Sequence, residues 1–135
     1  MGTNAQAEGV SSGAIGTKNR VTGANTYVLG SQNSTAATGT AADVSASNSG
    51  IFGNENRMEG DSNRIVGNQN VLKMESLSNN SSNPKDFKNI FVTGNQNTVT
   101  GDPDTSTAGD AGSVSDITVT GSKNTIQQKT RKTGI

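Results

Sequence analysis

The sequence contains no cysteine, histidine or tryptophan, and aromatic residues make up 3% of its 135 positions. The absence of cysteine and histidine excludes a disulfide framework, thiol nucleophiles, imidazole bases and the usual zinc ligand sets. The phosphate-binding motif Gly-x-x-x-x-Gly-Lys-Ser/Thr does not occur either. We therefore expect a protein that is not an enzyme and that binds no cofactor.

Net charge and long apolar runs are missing as well. Lys and Arg number 11 and are balanced by 11 Asp and Glu, so the chain lacks the basic footprint that nucleic-acid binding needs. No run of about 18 apolar residues is present, which argues against a membrane-spanning helix, and no secretory signal is recognisable. A surface location would therefore require this chain to be part of a larger exported protein, with any membrane anchor elsewhere.

Gly, Asn, Thr and Ser take the place of the missing residues, and the first two form a repeat. The motif Gly-x-x-Asn occurs seven times, against about two expected by chance from 17 Gly and 17 Asn. Its copies lie at 16–19, 30–33, 53–56, 60–63, 67–70, 94–97 and 121–124. An apolar residue stands two positions after the Asn in every copy but the second, which has Thr35 there. The chain is thus predicted to repeat a small core many times.

The glycines recur every seven residues within blocks, but a stronger apolar pair precedes only every second one, as in Ala14-Ile15-Gly16 and Val28-Leu29-Gly30. The period is therefore fourteen residues. Gly and Asn disfavour a helix, whereas β-branched segments such as 116–120 favour strands. Gly and Asn also suit the turns between strands. We predict an all-β solenoid of fourteen-residue coils, each with two short strands and two turns.

The pattern divides the chain into three parts: a lead-in at 1–12, a β-roll at 13–126 and a basic tail at 127–135. Three polar segments, at 34–49, 73–88 and 102–115, interrupt the roll. We interpret them as insertions, which in repeat proteins form loops on one face that is often the binding face.

Two segments, Ser12-Gly13-Ala14-Ile15-Gly16 and Thr26-Tyr27-Val28-Leu29-Gly30, resemble the S-x-A-I-G signature of trimeric autotransporter adhesins. The element Gly-x-x-Asn-x-Val-x-Gly is similar to the other half of the YadA-like head repeat of that family. The resemblance spans residues 13–126 and implies a left-handed parallel β-roll of fourteen-residue coils that forms a homotrimer. It also implies an adhesin head exposed on the outer membrane of a Gram-negative bacterium, where it attaches to host cells, matrix or other bacteria.

The apolar pairs also predict where the subunits meet. Neighbouring side chains of a strand point to opposite faces, so the second members of four pairs should share one face and the first members the other. The second members are Ile15, Leu29, Phe52 and Val66, and the first members are Ala14, Val28, Ile51 and Ile65. We expect one set to fill the coil and the other to form the three-fold interface.

Candidate ligand-binding residues come from the insertion at 73–88, where the spacing of the glycines exceeds one coil by the most, thirteen residues. They are Lys73, Leu77, Lys85, Asp86, Phe87 and Lys88. An aromatic ring flanked by charges is typical of contact surfaces. The alternative is that Phe87 anchors this loop to the roll.

A second hypothesis for the function is an ice-binding solenoid, because Thr98 and Thr125 hint at a threonine array. Such an array needs Thr at one position in every coil. The residues that we align with it in earlier coils are Arg20, Arg57, Arg64 and Val71, so the array is broken.

A third hypothesis is a structural spacer or phage-fibre segment, which would also be a trimer but would have no ligand of its own. Separately, Asp102 and Asp104 flank a proline and could bind calcium weakly. Two carboxylates fall short of the six or more oxygen ligands that a calcium site takes.

Overall fold

The computed structural model describes residues 2–34, 46–74, 87–102 and 114–129. These residues contain β-strands and no helix, and each strand pairs with its neighbours in parallel. The chain is therefore all-β with parallel sheets, which confirms this part of the predicted fold class.

The largest sheet has six strands, stacked in chain order. They are β2 (Gly13–Thr17), β4 (Tyr27–Ser31), β5 (Gly50–Asn54), β7 (Arg64–Asn68), β10 (Phe91–Asn95) and β13 (Thr118–Thr120). In β2, β4, β5 and β7 an apolar side chain points inward and the side chain after it, also apolar, points outward, because side chains alternate along a strand.

A second sheet forms the opposite wall. Its four strands are β6 (Arg57–Met58), β8 (Val71–Met74), β11 (Thr98–Asp102) and β14 (Thr125–Lys129). The pair of β1 (Gln6–Ala7) and β3 (Arg20–Val21) extends this wall, because Ser34 bridges both to Arg20 and to Arg57. A third, shorter wall contains β9 (Phe87–Lys88) paired with β12 (Val114–Ser115), and Asp61 bridges to it through Lys88.

The described strands extend past the predicted limits of the roll. Strand β1 precedes residue 13 and β14 continues to Lys129, so parts of the predicted lead-in and tail pair with the sheets. The flanks of the three predicted insertions also take part in bridges or strands, at Ser34, at β8 and β9, and at β11 and β12. The inner parts of the insertions, at 35–45, 75–86 and 103–113, and tail residues 130–135 lie outside the described residues.

The three insertions share one position in the fold. Each leaves the roll after a residue of the second wall, at Ser34, Met74 or Asp102. The last two of these end neighbouring strands, because β8 pairs with β11. The chain returns to the third wall at β9 and β12 after the second and third insertions. One side of the roll therefore carries all three interruptions.

The core lies between the walls and is built from small aliphatic layers. The inward residues of the six-stranded sheet are Ala14, Val28, Ile51, Ile65, Val92 and Val119, and those of the second wall are Val21, Met58, Leu72 and Val99. Strand pairing sets like residues on one another, as with Val28 beside Ile51 and Met58 beside Leu72. Burial of one such side chain contributes roughly 1.5–3 kcal/mol, so each layer adds a similar increment.

The Asn residues of six Gly-x-x-Asn copies stack as a buried ladder at one turn of the roll. Its members are Asn19, Asn33, Asn56, Asn70, Asn97 and Asn124. The backbone N–H and the Nδ2 group of each member donate to Oδ1 of the preceding member, as from Asn33 to Asn19 at 3.0 Å for both bonds. Successive members are separated by 14, 23, 14, 27 and 27 residues.

The glycine of the motif is tied to the same ladder. Asn33 Nδ2 donates to the Gly53 carbonyl at 2.7 Å, so Gly of one level and Asn of the preceding level are bonded directly. Gly53 has φ 144°, and a Cβ there would lie 1.7 Å from the Gly67 carbonyl oxygen. Only glycine can make this approach. The residue before the ladder Asn takes the left-handed conformation instead of the Asn itself, for example Glu55 with φ 56°.

A second amide ladder lies on the surface of the same turn and runs with the opposite polarity. Asn54 Nδ2 donates to Oδ1 of Asn68, and Asn68 Nδ2 donates to Oδ1 of Asn95, at 3.0 and 3.1 Å. In this ladder the donors therefore point to the following level, whereas the buried ladder's Nδ2–Oδ1 bonds point to the preceding one.

The remaining Gly-x-x-Asn copy, at 60–63, belongs to the other turn. Asn63 donates to the carbonyls of Glu59 and Phe87, and its Oδ1 accepts the Ile90 N–H. Positions that stack near it in earlier levels carry hydroxyls, such as Ser49, which accepts the Asn63 N–H. The seven-residue spacing in the sequence thus joins two turns with different surroundings.

Candidate functional site

The outward face of the six-stranded sheet carries a column of apolar side chains. Ile15, Leu29, Phe52 and Val66 are neighbours in register on β2, β4, β5 and β7, and we refer to these four residues as the apolar stripe. Their side chains are 58%, 41%, 59% and 41% exposed. Their pair partners Ala14, Val28, Ile51 and Ile65 are buried. This division confirms the two predicted faces, with the core set being the first members of the pairs.

A second outward column runs beside the stripe at the start of the same strands. In order of stacking it contains Gly13, Tyr27, Gly50, Arg64, Phe91 and Thr118. Tyr27 and Phe91 are exposed aromatic residues. The absence of a side chain at the glycines leaves space for neighbouring side chains, because a Cβ on Gly13 would lie only 3.1 Å from Cδ1 of Tyr27. Six of the seven exposed large hydrophobic residues of the described chain belong to these two columns, the other being Val10.

The two columns enclose a shallow apolar groove of about 300 Å³. Tyr27, Phe52 and Arg64 provide its largest side chains, and Gly13 and Gly50 form part of its floor. A contiguous apolar surface rimmed by polar residues marks an interaction site on a soluble domain. The groove lining combines apolar side chains with the Tyr27 hydroxyl and the Arg64 guanidinium.

Arg64 gives this groove its single charge. Its Nη1 lies 4.0 Å from the position that a Cβ on Gly50 would take, so the guanidinium lies above that glycine. Among the described residues Arg57 forms an ion pair with Glu59, whereas Arg64 has no carboxylate partner. An unpaired guanidinium covered by apolar surface would lose hydration without compensation. Any partner that covers the groove must therefore supply an anion or a hydrogen-bond acceptor.

The far edge of the stripe is the turn that follows each strand, and we call its outermost column the turn ridge. Its residues are Lys18, Gln32, Glu55, Gln69, Gln96 and Lys123, each with a φ between 56° and 60°. Gln69 Nε2 donates to Oε2 of Glu55 at 2.8 Å, and Gln96 Nε2 donates to Oε1 of Gln69 at 3.0 Å. The stripe is thus bounded by Arg64 on one side and by a polar ridge with one acidic residue on the other.

The predicted ligand-binding residues of the insertion at 73–88 fall in different places. Lys73 is half-buried on β8 and Lys88 is half-buried on β9. Leu77, Lys85 and Asp86 lie outside the described residues. Three of the six predicted residues, Lys73, Phe87 and Lys88, are therefore in the described part of the chain.

Phe87 is a correction to that set, because its side chain is 0% exposed. The ring lies between two glycines: a Cβ on Gly60 would lie 2.7 Å from Cδ1, and a Cβ on Gly101 would lie 2.5 Å from Cε2. Val114 is its strand partner. The ring is therefore a core side chain that anchors the insertion to the roll, the alternative that the sequence left open, and not an exposed contact.

Lys88 lies near a carboxylate. Asp116 accepts hydrogen bonds from the Ser115 hydroxyl at 2.7 Å and from Asn89 Nδ2 at 3.2 Å. These bonds, the Ser115 bond first, hold the pKa of Asp116 below its ordinary value, and the charge of Lys88 acts in the same direction. The group is fully exposed, so it forms a solvated polar cluster at the second turn.

The proposed threonine array is also clarified by the register. Thr98 pairs with Thr125 on one side and with Val71 on the other, and Arg57 pairs with Val71. Arg64 does not belong to this column, because it lies in β7 of the six-stranded sheet beside Phe91. Aligning the repeats in the sequence therefore placed residues of two different walls in one column. Only the last two levels of this column carry Thr, so the described chain has no continuous array.

The described residues contain no group of three or more His, Cys, Asp or Glu side chains able to hold a metal ion. Asp104 of the weak calcium hypothesis lies outside them. In the part of the chain that the structure describes, no helix is long and apolar enough to cross a membrane.

Comparisons with known proteins give no family assignment: the chain matches no protein-family model and no curated protein.

The groove residues Tyr27 and Arg64 were not among the predicted site residues. The signal for them was present, because each stands directly before an apolar pair and so shares the outward face with the second member of that pair.

Proposed function

We propose that this chain is part of the head of a homotrimeric adhesin on the surface of a Gram-negative bacterium, where it attaches to host cells, extracellular matrix or other bacteria. It acts without catalysis and without a cofactor, as a section of a larger exported protein. The observation that carries this proposal is the apolar stripe, an exposed column that continues over four neighbouring strands.

The repeat behind the proposal is a fourteen-residue coil, wound with a left hand as the resemblance to YadA-like heads implies. Stacked ladder positions 14 residues apart mark uninterrupted coils. One spacing, of 23 residues, exceeds this by nine, and two spacings, of 27 residues each, exceed it by thirteen. Each excess corresponds to one of the three insertions on the same side of the roll. The second insertion-bearing coil, for example, would be uninterrupted without residues 74–86.

Self-association explains why the stripe is apolar on an otherwise polar surface. A large exposed side chain gains roughly 1.5–3 kcal/mol when it is fully removed from water, and four stacked residues per copy offer a continuous surface for this. Three parallel copies around one axis would bring three stripes together. The insertions leave the roll from another wall, at Ser34, Met74 and Asp102, away from the stripe.

A structural spacer or phage-fibre segment is the second candidate. The burial of Phe87 favours it, because it removes the aromatic residue from the predicted contact cluster. A spacer would form the same trimer through the same stripe and would differ only in having no ligand.

Sedimentation equilibrium of the purified chain tests the trimer, and a folded monomer at micromolar concentration would disprove it. Binding of the fluorescently labelled trimer to cultured host cells and to immobilised matrix proteins tests the adhesin. A variant that lacks residues 74–86 retains Lys73 and Phe87, and it serves as the matched control for the second insertion. Trimer formation without binding to cells, matrix or bacteria would favour the spacer.

A further inference from the structure

Arg64 and Glu55 lie on opposite edges of the apolar stripe at neighbouring levels. Arg64 starts β7, and Glu55 follows β5, which is the strand beside β7 in the sheet. Arg64 is the only charged residue of its column, which otherwise contains glycines, Tyr27, Phe91 and Thr118. Glu55 is the only acidic residue of the turn ridge, whose other members are glutamines and lysines.

Both groups have unused bonding capacity. The Arg64 guanidinium has no ion-pair partner among the described residues. Glu55 is exposed and accepts one hydrogen bond, at Oε2 from Gln69, so Oε1 is free to accept another. The width of the sheet keeps the two side chains of one copy apart, because they stand at opposite ends of five-residue strands. An ion pair between them requires a second copy.

A cyclic trimer provides that geometry. Its contacts are heterologous, so one edge of a face meets the other edge of the same face on the next copy. We propose that in the homotrimer Arg64 of each copy pairs with Glu55 of the adjoining copy, giving three ion pairs around the apolar stripes. This inference rests on the proposed function and assigns the contact that aligns the copies.

Closed three-fold symmetry limits which ridge residues Arg64 can meet. The copies of a closed ring are related by rotation alone and lie at the same height along the axis. Arg64 starts β7, so it meets the ridge of the next copy at Gln69, which follows β7, and at Glu55, which follows the neighbouring strand β5. Gln69 carries no charge, so Glu55 is the ridge residue within one level of Arg64 that offers the guanidinium an anion.

Charge reversal tests the pair. The variants are Arg64→Glu, Glu55→Arg and the double variant that carries both, each measured by sedimentation equilibrium at low and high salt. Each exposed ion pair raises an association constant up to about fivefold, so three pairs raise the trimer association constant roughly a hundredfold. We expect each single reversal to lower that constant by at least this factor at low salt and the double variant to recover most of the loss. Glu8→Arg, which reverses a charge after β1 on the second wall, should leave it within about threefold.

The results separate this inference from the proposal on which it rests. Far-UV circular dichroism verifies that each variant keeps its strands. A wild-type chain that sediments as a monomer overturns both. A wild-type trimer whose single reversals assemble like the control, or whose double variant is no better than the singles, overturns the Arg64–Glu55 pair and leaves the trimer standing.

Discussion

The ring of Phe87 lies against Gly101, at a distance where a Cβ on Gly101 would come within 2.5 Å of Cε2. Phe87 lies near the end of the second insertion and Gly101 precedes the third. The contact therefore packs the return of one insertion against the departure of the next. It explains why an aromatic residue in a polar stretch is buried.

Gly101→Ala should destabilise the chain by about 1–3 kcal/mol, because the added methyl group overpacks the site around Phe87. Backbone strain does not contribute, since Gly101 does not adopt a left-handed φ. Urea unfolding measures the loss. The double variant Phe87→Leu with Gly101→Ala is the control, and its loss should be smaller than the sum of the two single losses, as expected for residues in contact. Additive losses would contradict the contact.

Asn56→Ala should cost about 3 kcal/mol of unfolding free energy. The change leaves the buried Asn70 N–H and the Gly67 carbonyl without their bonds to Asn56, which measure 2.9 and 2.7 Å, and an unsatisfied buried group costs about 1–3 kcal/mol. Asn124→Ala is the matched control at the last described member of the ladder, and it should cost less than about 1 kcal/mol. Equal losses at the two positions would show that the bonds from Asn56 to the following level, which Asn124 lacks among the described residues, add nothing to stability.

Asn56→Asp should make stability depend on pH in a defined direction. A carboxylate at this buried position would face the Asn33 Oδ1 and the Gly67 carbonyl, which accept hydrogen bonds from Asn56. Burial and these acceptors raise the folded-state pKa above the unfolded value of about 3.9. The variant is therefore most stable below pH 4 and loses stability as the pH rises through the folded-state pKa. Urea unfolding across this range, relative to Asn56→Ala, should show the slope, and a parallel pair of curves would refute it.

Phe52→Asp should convert the proposed trimer into a folded monomer. Phe52 is the most exposed member of the apolar stripe, so its replacement leaves the core of one copy intact while placing a charge at the three-fold interface. Sedimentation equilibrium gives the mass, and circular dichroism verifies the fold. Val10→Asp alters an exposed apolar residue outside the stripe and should not change the mass. Persistence of the trimer in Phe52→Asp would exclude the stripe as its interface.

The apolar pairs and the Gly-x-x-Asn motif were sufficient to predict stacked strands, turns and the division of the pairs between two faces, whereas the parallel direction of the strands came from the resemblance to YadA-like heads. Both are local signals: Ile51 and Phe52 alternate between faces wherever the chain is extended, and Gly53 permits a close approach to the next strand that other residues do not. The repetition multiplies these signals, so the predicted division of all four pairs between two faces was correct, and the structure shows that the first members point inward.

Other features depend on residues that are distant in sequence and could not be read locally. Phe87 is flanked by charges, and its burial follows from the space left by Gly60 and Gly101. The motif at 60–63 is identical in form to the others, yet it lies at the second turn because of its place between strands. Arg64 aligned with Arg57 in sequence, whereas strand pairing places it beside Phe91.

The opposed directions of the buried and surface amide ladders bear on how long such a roll can become. Peptide dipoles aligned head to tail in an α-helix add up to a macrodipole with partial charges at its ends. Parallel strands contribute little net dipole, and a single amide ladder would polarise the stack along its axis. Asn56 belongs to the buried ladder and Asn68 to the surface ladder, and their Nδ2–Oδ1 bonds point in opposite directions along the stack. Their dipoles therefore offset each other wherever both ladders run. Electrostatic strain would then not accumulate with length, so coils could be added in evolution without the ends becoming progressively charged.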